Sequence, residues 1–352
     1  MPCMNTPTST PSPSAHRIAR RSVWSRLCRA CALGWFLAAW ALQQGVGAAP
    51  AHQAEAQTFG PLISATALAA QRAQVRIIDL RDMASEPHVA HIPGALPAPY
   101  ADWRGPASNP GQLRPLAEFT ALVRRLGLTA ETPVVLVASG SDPSDFGAPA
   151  RVYWTLKWLG LKHLAILNGG MTAWLAAGLS LTREPTPPAA PSAFTPQLDG
   201  ALLATRAEVA QDLARPGTLL LDARPRAFYL GREKAPIARC PGTLPGALDF
   251  DNLRWFEQGS AALPDTATLE RVAQTLPQPL AAAPSAEVVS FCNTGHWAAT
   301  NWFVLSQVLH RPHVALYPGS MVDWSRADAP MAHVPTRLQQ LWQQLEQTWQ
   351  AL

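Results

Sequence analysis

Cys292 is followed by Asn293, Thr294, Gly295 and His296, a short polar loop between two regular segments. Val288–Phe291 reads as a buried strand, and Ala298–Leu309 as a helix with Trp302, Phe303, Leu305 and Leu309 on its apolar side. A thiol at such a strand-to-helix turn faces several backbone N–H groups and the positive end of a helix dipole. Both favour thiolate over thiol, against a free-cysteine pKa of about 8.5. The same N–H groups suit an anionic substrate. Position thus marks Cys292 as a nucleophile, although an inert buried thiol is the commoner fate of a lone cysteine.

The elements that place this loop begin after a leader. Residues 1–48 carry Arg17, Arg20, Arg21, Arg26 and Arg29 with no acidic residue, then an apolar run from Cys31 to Leu42, then small residues at Val46–Ala49. That order is the one expected of a secretory signal peptide, cleaved near Ala48 and leaving no stable membrane anchor; the run is shorter than the roughly 18–20 residues of a spanning helix. Periplasmic export follows as the expectation. Without the five arginines, the 28 basic residues become 23 against 24 acidic ones, a charge of about −1, so the apparent basicity argues for no nucleic-acid partner. Removing the leader also discards Cys3, Cys28 and Cys31. Cys240 and Cys292 remain, too few for a disulfide scaffold or a cysteine zinc site, and nothing else implies a metal or cofactor.

The rest of the chain repeats itself. Arg76–Arg81 (RIIDLR) is answered by Leu219–Arg224 (LLLDAR), and Pro93-Gly94-Ala95 by Pro245-Gly246-Ala247. Val134–Val137 matches the strand at Val288, and Gly170-Met171 with Trp174 matches Ser320-Met321 with Trp324. Each copy alternates short β-branched runs with helical stretches such as Leu116–Leu126. An α/β fold is expected, with a mostly parallel sheet flanked by helices in each copy. Expected boundaries are residues 58–184 and 201–330, joined by a stiff proline-rich linker at 185–200 and followed by a helix over 331–352. Asp79 with Arg81, and Asp222 with Arg224, read first as charged pairs locking strand to loop.

Together these motifs resemble those of tandem-domain rhodaneses, the thiosulfate sulfurtransferase type. The resemblance spans roughly residues 58–330 and implies two rhodanese-like domains, the first lacking the catalytic cysteine. Aligning the strands sets Ser139 in the first copy's slot, within a longer, acidic loop, Ser139–Gly147, ill suited to a dianion. The implied reaction is double displacement. Cys292 takes sulfur from a small anionic donor as a persulfide, and a thiol or cyanide removes it, while N–H groups from Asn293 through Ala298, with Thr294, Gly295, His296 and Trp297 between, cradle the charge.

The sequence also departs from the family. The cysteine loop has no lysine or arginine, and Phe228 stands where many members carry a donor-binding arginine. Arg226 and Arg232 are the nearby substitutes. His296 has two readings, donor assistance or a solvent-facing residue. The donor expected is thiosulfate; the alternatives are 3-mercaptopyruvate, or a carrier module without turnover. A phosphatase or arsenate reductase would end a longer loop in arginine, but Ala298 stands six positions after Cys292 and no arginine follows before Arg311. A cysteine hydrolase would need a separate histidine base that nothing in the sequence places.

Overall fold

Short runs of β-branched and leucine residues buried on both faces form the strands, as parallel sheets require. The computed structural model describes residues 59–83, 89–213, 217–336 and Gln339. The leader, and residues 337–338 and 340–352 of the helix expected over 331–352, lie outside the described residues; residues 331–336 are not helical, because Ala332 pairs as an antiparallel bridge with Thr243 instead. The strands are β1 (Leu62–Ile63), β2 (Arg76–Asp79), β3 (Leu96–Pro97), β4 (Val134–Val137) and β5 (Leu164–Leu167) in the first half. In the second they are β6 (Thr218–Asp222), β7 (Leu248–Asp249), β8 (Glu287–Phe291) and β9 (Val314–Leu316). The first sheet runs β1-β5-β4-β2-β3 and the second β7-β6-β8-β9, with every pairing parallel.

Helices cover both faces. In the first half they are α1 (Ala65–Gln71), α2 (Leu116–Arg125), α3 (Gly147–Trp158) and α4 (Gly170–Ala176). In the second they are α5 (Arg206–Asp212), α6 (Arg226–Tyr229), α7 (Thr266–Ala273), α8 (Gln278–Ala282), α9 (Trp297–Phe303) and α10 (Ser320–Trp324). A π-helical turn, Val304–Val308, carries α9 onward. Single-turn π segments of this kind recur beside functional sites.

The halves are joined by a shared apolar core. The outer face of each sheet has its own cluster, around Ile77, Val135 and Trp174 in one half and Val289, Phe291 and Trp324 in the other. The inner faces share one continuous cluster that contains Tyr153, Trp154, Trp302, Phe303 and Cys292. Where α3 meets α9, Phe303 makes edge contacts with Phe146 and Tyr153, with centroids 5.5 and 5.1 Å apart. The proline-rich segment has no regular secondary structure and packs on the first half: Phe194 is buried, and its carbonyl accepts from Arg124 Nε at 2.8 Å.

Sheet register corrects one sequence alignment. Asp79 pairs with Val137 as Asp222 pairs with Phe291, so Ala138, not Ser139, holds the place of Cys292. Backbone bonds agree: Met171 N–H donates to Ala138 O as Met321 N–H donates to Cys292 O. The error was one residue, and either residue leaves the first half without a thiol there.

Candidate active site

Cys292 directly follows β8, the third strand of its sheet, and is 1% exposed. Its own N–H donates to Ser320 Oγ at 3.1 Å, and Ser320 in turn donates to Tyr317 O at 2.8 Å. Ser320 holds a left-handed φ of 52°, a conformation that costs a non-glycine residue energy; Gly170 has φ 57° at the matching place in the first half. The hydroxyl offsets that cost by capping the buried amide. Past the cysteine the chain turns sharply at Gly295, with φ 72°, whose N–H points at Cys292 Sγ from 3.1 Å. A Cβ at 295 would collide with Arg151 Nη1 and lie 2.8 Å from Pro318 O, so only glycine fits. Ser290 Oγ donates to Ala298 O at 2.9 Å and ties the start of α9 back to the strand.

Asn293 is held from β6. Asp222 and Arg224 form the buried pair expected of them, Nη2 to Oδ2 at 2.6 Å and Nε to Oδ1 at 2.8 Å. Arg224 Nη1 extends from that pair to Asn293 Oδ1 at 3.4 Å, and Nη2 also donates to Gly242 O. The lock between strand and loop therefore reaches the cysteine loop itself.

The other side of the loop is built by the first half, which the sequence reading did not foresee. Arg104 Nη2 donates to Thr294 O at 2.8 Å. Arg151, fully buried on α3, places Nη1 3.5 Å from both Thr294 O and Gly295 O. His296 is half-buried, and both of its ring nitrogens are engaged by hydrogen bonds. Its Nδ1 accepts from Tyr100 Oη at 3.0 Å, and Nε2 donates to Ser144 O at 3.0 Å, both partners in the first half. Burial, with Arg104 next in weight, lowers its pKa to about 4, so the ring is neutral near pH 7. Trp297 Nε1 donates to Ser144 Oγ at 2.7 Å, while its ring lies 5.9 Å from Phe228. One signal for this was in the sequence: Arg151 is a lone arginine in an otherwise apolar stretch of α3.

Arg226 and Arg232 lie on and just after α6, which brings Phe228 against Trp297. Arg226 pairs with Asp249 on β7 at 2.7 Å and is largely exposed, and Arg232 is exposed. No contact among the described residues joins either to the cysteine loop. Cys292 is a free thiol, so it is not paired with Cys240.

The matching loop of the first half fills its own anion position. Asp145 Oδ2 accepts from Gly140 N–H at 2.6 Å, and Asp142 caps the short helix Pro143–Phe146. A carboxylate in that place repels a second anion.

Comparison with known proteins agrees with this architecture. The model of the rhodanese-like domain matches twice, at residues 64–177 and 205–327. The chain belongs to the rhodanese-like family. A probable 3-mercaptopyruvate sulfurtransferase of Pseudomonas aeruginosa is 33% identical over 284 residues, 75% of this chain and 94% of the relative. Rat thiosulfate sulfurtransferase is 30% identical over 250 residues, 69% and 80% of the two chains. Among solved structures, SseA from Escherichia coli, described as a 3-mercaptopyruvate sulfotransferase with the rhodanese fold, superposes with a TM-score of 0.62. At 23% identity it covers 74% of this chain and 98% of its own. In this rhodanese-like chain the cysteine loop belongs to the second half, and residues of both halves hold it, Arg224 and Ser320 from its own and Arg104 and Arg151 from the other.

Proposed function

We propose that the protein is a sulfurtransferase that moves the outer sulfur of thiosulfate to a thiol or cyanide through a persulfide on Cys292. The observation carrying this reading is Cys292 at the end of β8 with the Gly295 N–H aimed at its sulfur. In the first step the Cys292 thiolate attacks the outer sulfur. A new S–S bond forms, the donor's S–S bond breaks, and sulfite leaves with the electron pair. In the second, the carbon of cyanide or the sulfur of a thiol attacks the outer persulfide sulfur and regenerates the thiolate. The Gly295 N–H, already oriented at Sγ, holds the negative charge at each stage without rearranging. A thiol this buried suits a compact donor. Arg226 and Arg232 remain the second half's cations for donor capture, and Arg226→Ala or Arg232→Ala is expected to raise KM for thiosulfate more than it alters folding.

Mercaptopyruvate is the second reading, favoured by the 33% identity to the Pseudomonas protein. Steady-state kinetics with cyanide and each donor separate the two. The larger kcat/KM is expected with thiosulfate; a larger value with mercaptopyruvate would overturn the donor and leave the persulfide chemistry. Persulfide uptake without turnover of either donor would instead make the protein a carrier. From the order of charges and apolar residues at 1–48 we also infer export to the periplasm.

A further inference from the structure

Charge is out of balance around the cysteine loop. Among the described residues neither Arg104 nor Arg151 forms an ion pair with a carboxylate. Each also keeps a buried nitrogen without a hydrogen-bond partner, Nη1 of Arg104 and Nε of Arg151. Buried guanidinium groups are ordinarily paired, because desolvating an unpaired charge is costly. The other titratable groups facing them are Tyr100, stacked 5.1 Å under Arg104, the neutral His296, and Cys292. Arg151 is driven down to about 9, first by burial and then by Arg104, while Tyr100 and Cys292 act in the opposite sense.

Geometry links this charge to the sulfur. A trans peptide directs its C=O and N–H to opposite sides. The peptide joining Thr294 to Gly295 gives its oxygen to Arg104 at 2.8 Å and its N–H to Cys292 Sγ at 3.1 Å. Arg151 braces the same oxygen and the next, Gly295 O, and anchors itself on Gly111 O at 3.4 Å. Gly111 must approach closely here, since a Cβ would lie 3.1 Å from Thr294 Cα and strike Pro318 O. The first half thus orients and polarises the peptides that face the thiol.

We propose that Arg104 and Arg151 of the first half are positioning residues for Cys292, fixing its loop by the carbonyls and supplying the positive charge that the loop itself lacks. The proposal deepens the sulfur-transfer reading and rests on Cys292 being its nucleophile. Its test is alkylation of Cys292 by iodoacetamide as a function of pH, followed at the Cys292 peptide by mass spectrometry, in the full chain carrying Arg104→Gln, Arg151→Met or Arg151→Lys. The alkylation midpoint is expected to rise by about one pH unit in Arg104→Gln and Arg151→Met, a roughly tenfold slower reaction below the midpoint, and by less in Arg151→Lys. Should the buried Arg151 variants fail to fold, Arg104→Gln at a partly exposed position carries the test. A folded Arg104→Gln protein with the wild-type midpoint would overturn the proposal. Alkylation needs no sulfur donor, so a wild type that takes up no sulfur from thiosulfate counts against the proposed function and not against this one.

Discussion

Ser320 and His296 show what single residues contribute to holding a reactive sulfur in place. Ser320 accepts a left-handed backbone so that its hydroxyl can cap the Cys292 N–H. Ser320→Ala leaves that buried donor without its acceptor, and a loss of about 1–3 kcal/mol is expected in urea unfolding. His296 gives a pH dependence with a definite sign. Its folded pKa, lowered by burial to about 4, lies below the unfolded value near 6.5, so the unfolded chain takes up the proton first. The stability it supports is whole above about pH 6.5 and is lost as pH falls toward 4. His296→Gln keeps a donor and an acceptor but does not titrate. Thermal unfolding across that window should therefore show a smaller fall in Tm for the variant, and an equal fall would remove His296 from the account.

Between elements, one coupling runs from the end of β6 to the cysteine loop through Asp222, Arg224 and Asn293. Asp222→Asn strips the charge partner from a buried guanidinium, and about 3–5 kcal/mol of stability should go with it, measured by denaturant titration. The equivalent pair in the first half, Asp79 and Arg81, is more exposed on the arginine side, and Asp79→Asn should cost less. This coupling was partly legible in the sequence, because both partners sit two residues apart in a repeated motif. The strands were legible for a similar reason: buried on both faces, they appear as unbroken apolar runs. Registering one copy on the other was harder, since consecutive small residues, Ala138 and Ser139, fit the slot equally well until backbone hydrogen bonds distinguish them. Arg151 on α3, and Tyr100 and Arg104 on and just after the short turn Tyr100–Trp103, were missed because they act across the contact between the two halves. The apolar pattern of an element shows that it has a partner but not which one, so residues 143 to 196 positions from their partners in the loop carried no mark of their destination.

At the scale of the whole molecule, one half supplies the thiol and the other the groups that brace it, within a core shared by both. Phe303 lies on that seam, and Phe303→Ala is expected to cost about 3–5 kcal/mol by opening a cavity between the halves. If export is correct, protein recovered from its native cell compartment should lack about its first 48 residues, as N-terminal sequencing would show; an intact N-terminus on cytoplasmic protein would count against it. The central claim, sulfur carried on Cys292, is tested most directly by intact-mass and peptide mass spectrometry of the purified protein after thiosulfate, before and after cyanide. The account predicts a gain of one sulfur atom, located on the Cys292 peptide, removed by cyanide and absent from Cys292→Ser. Sulfur that still adds to Cys292→Ser, or wild-type protein that gains none from thiosulfate, would contradict it.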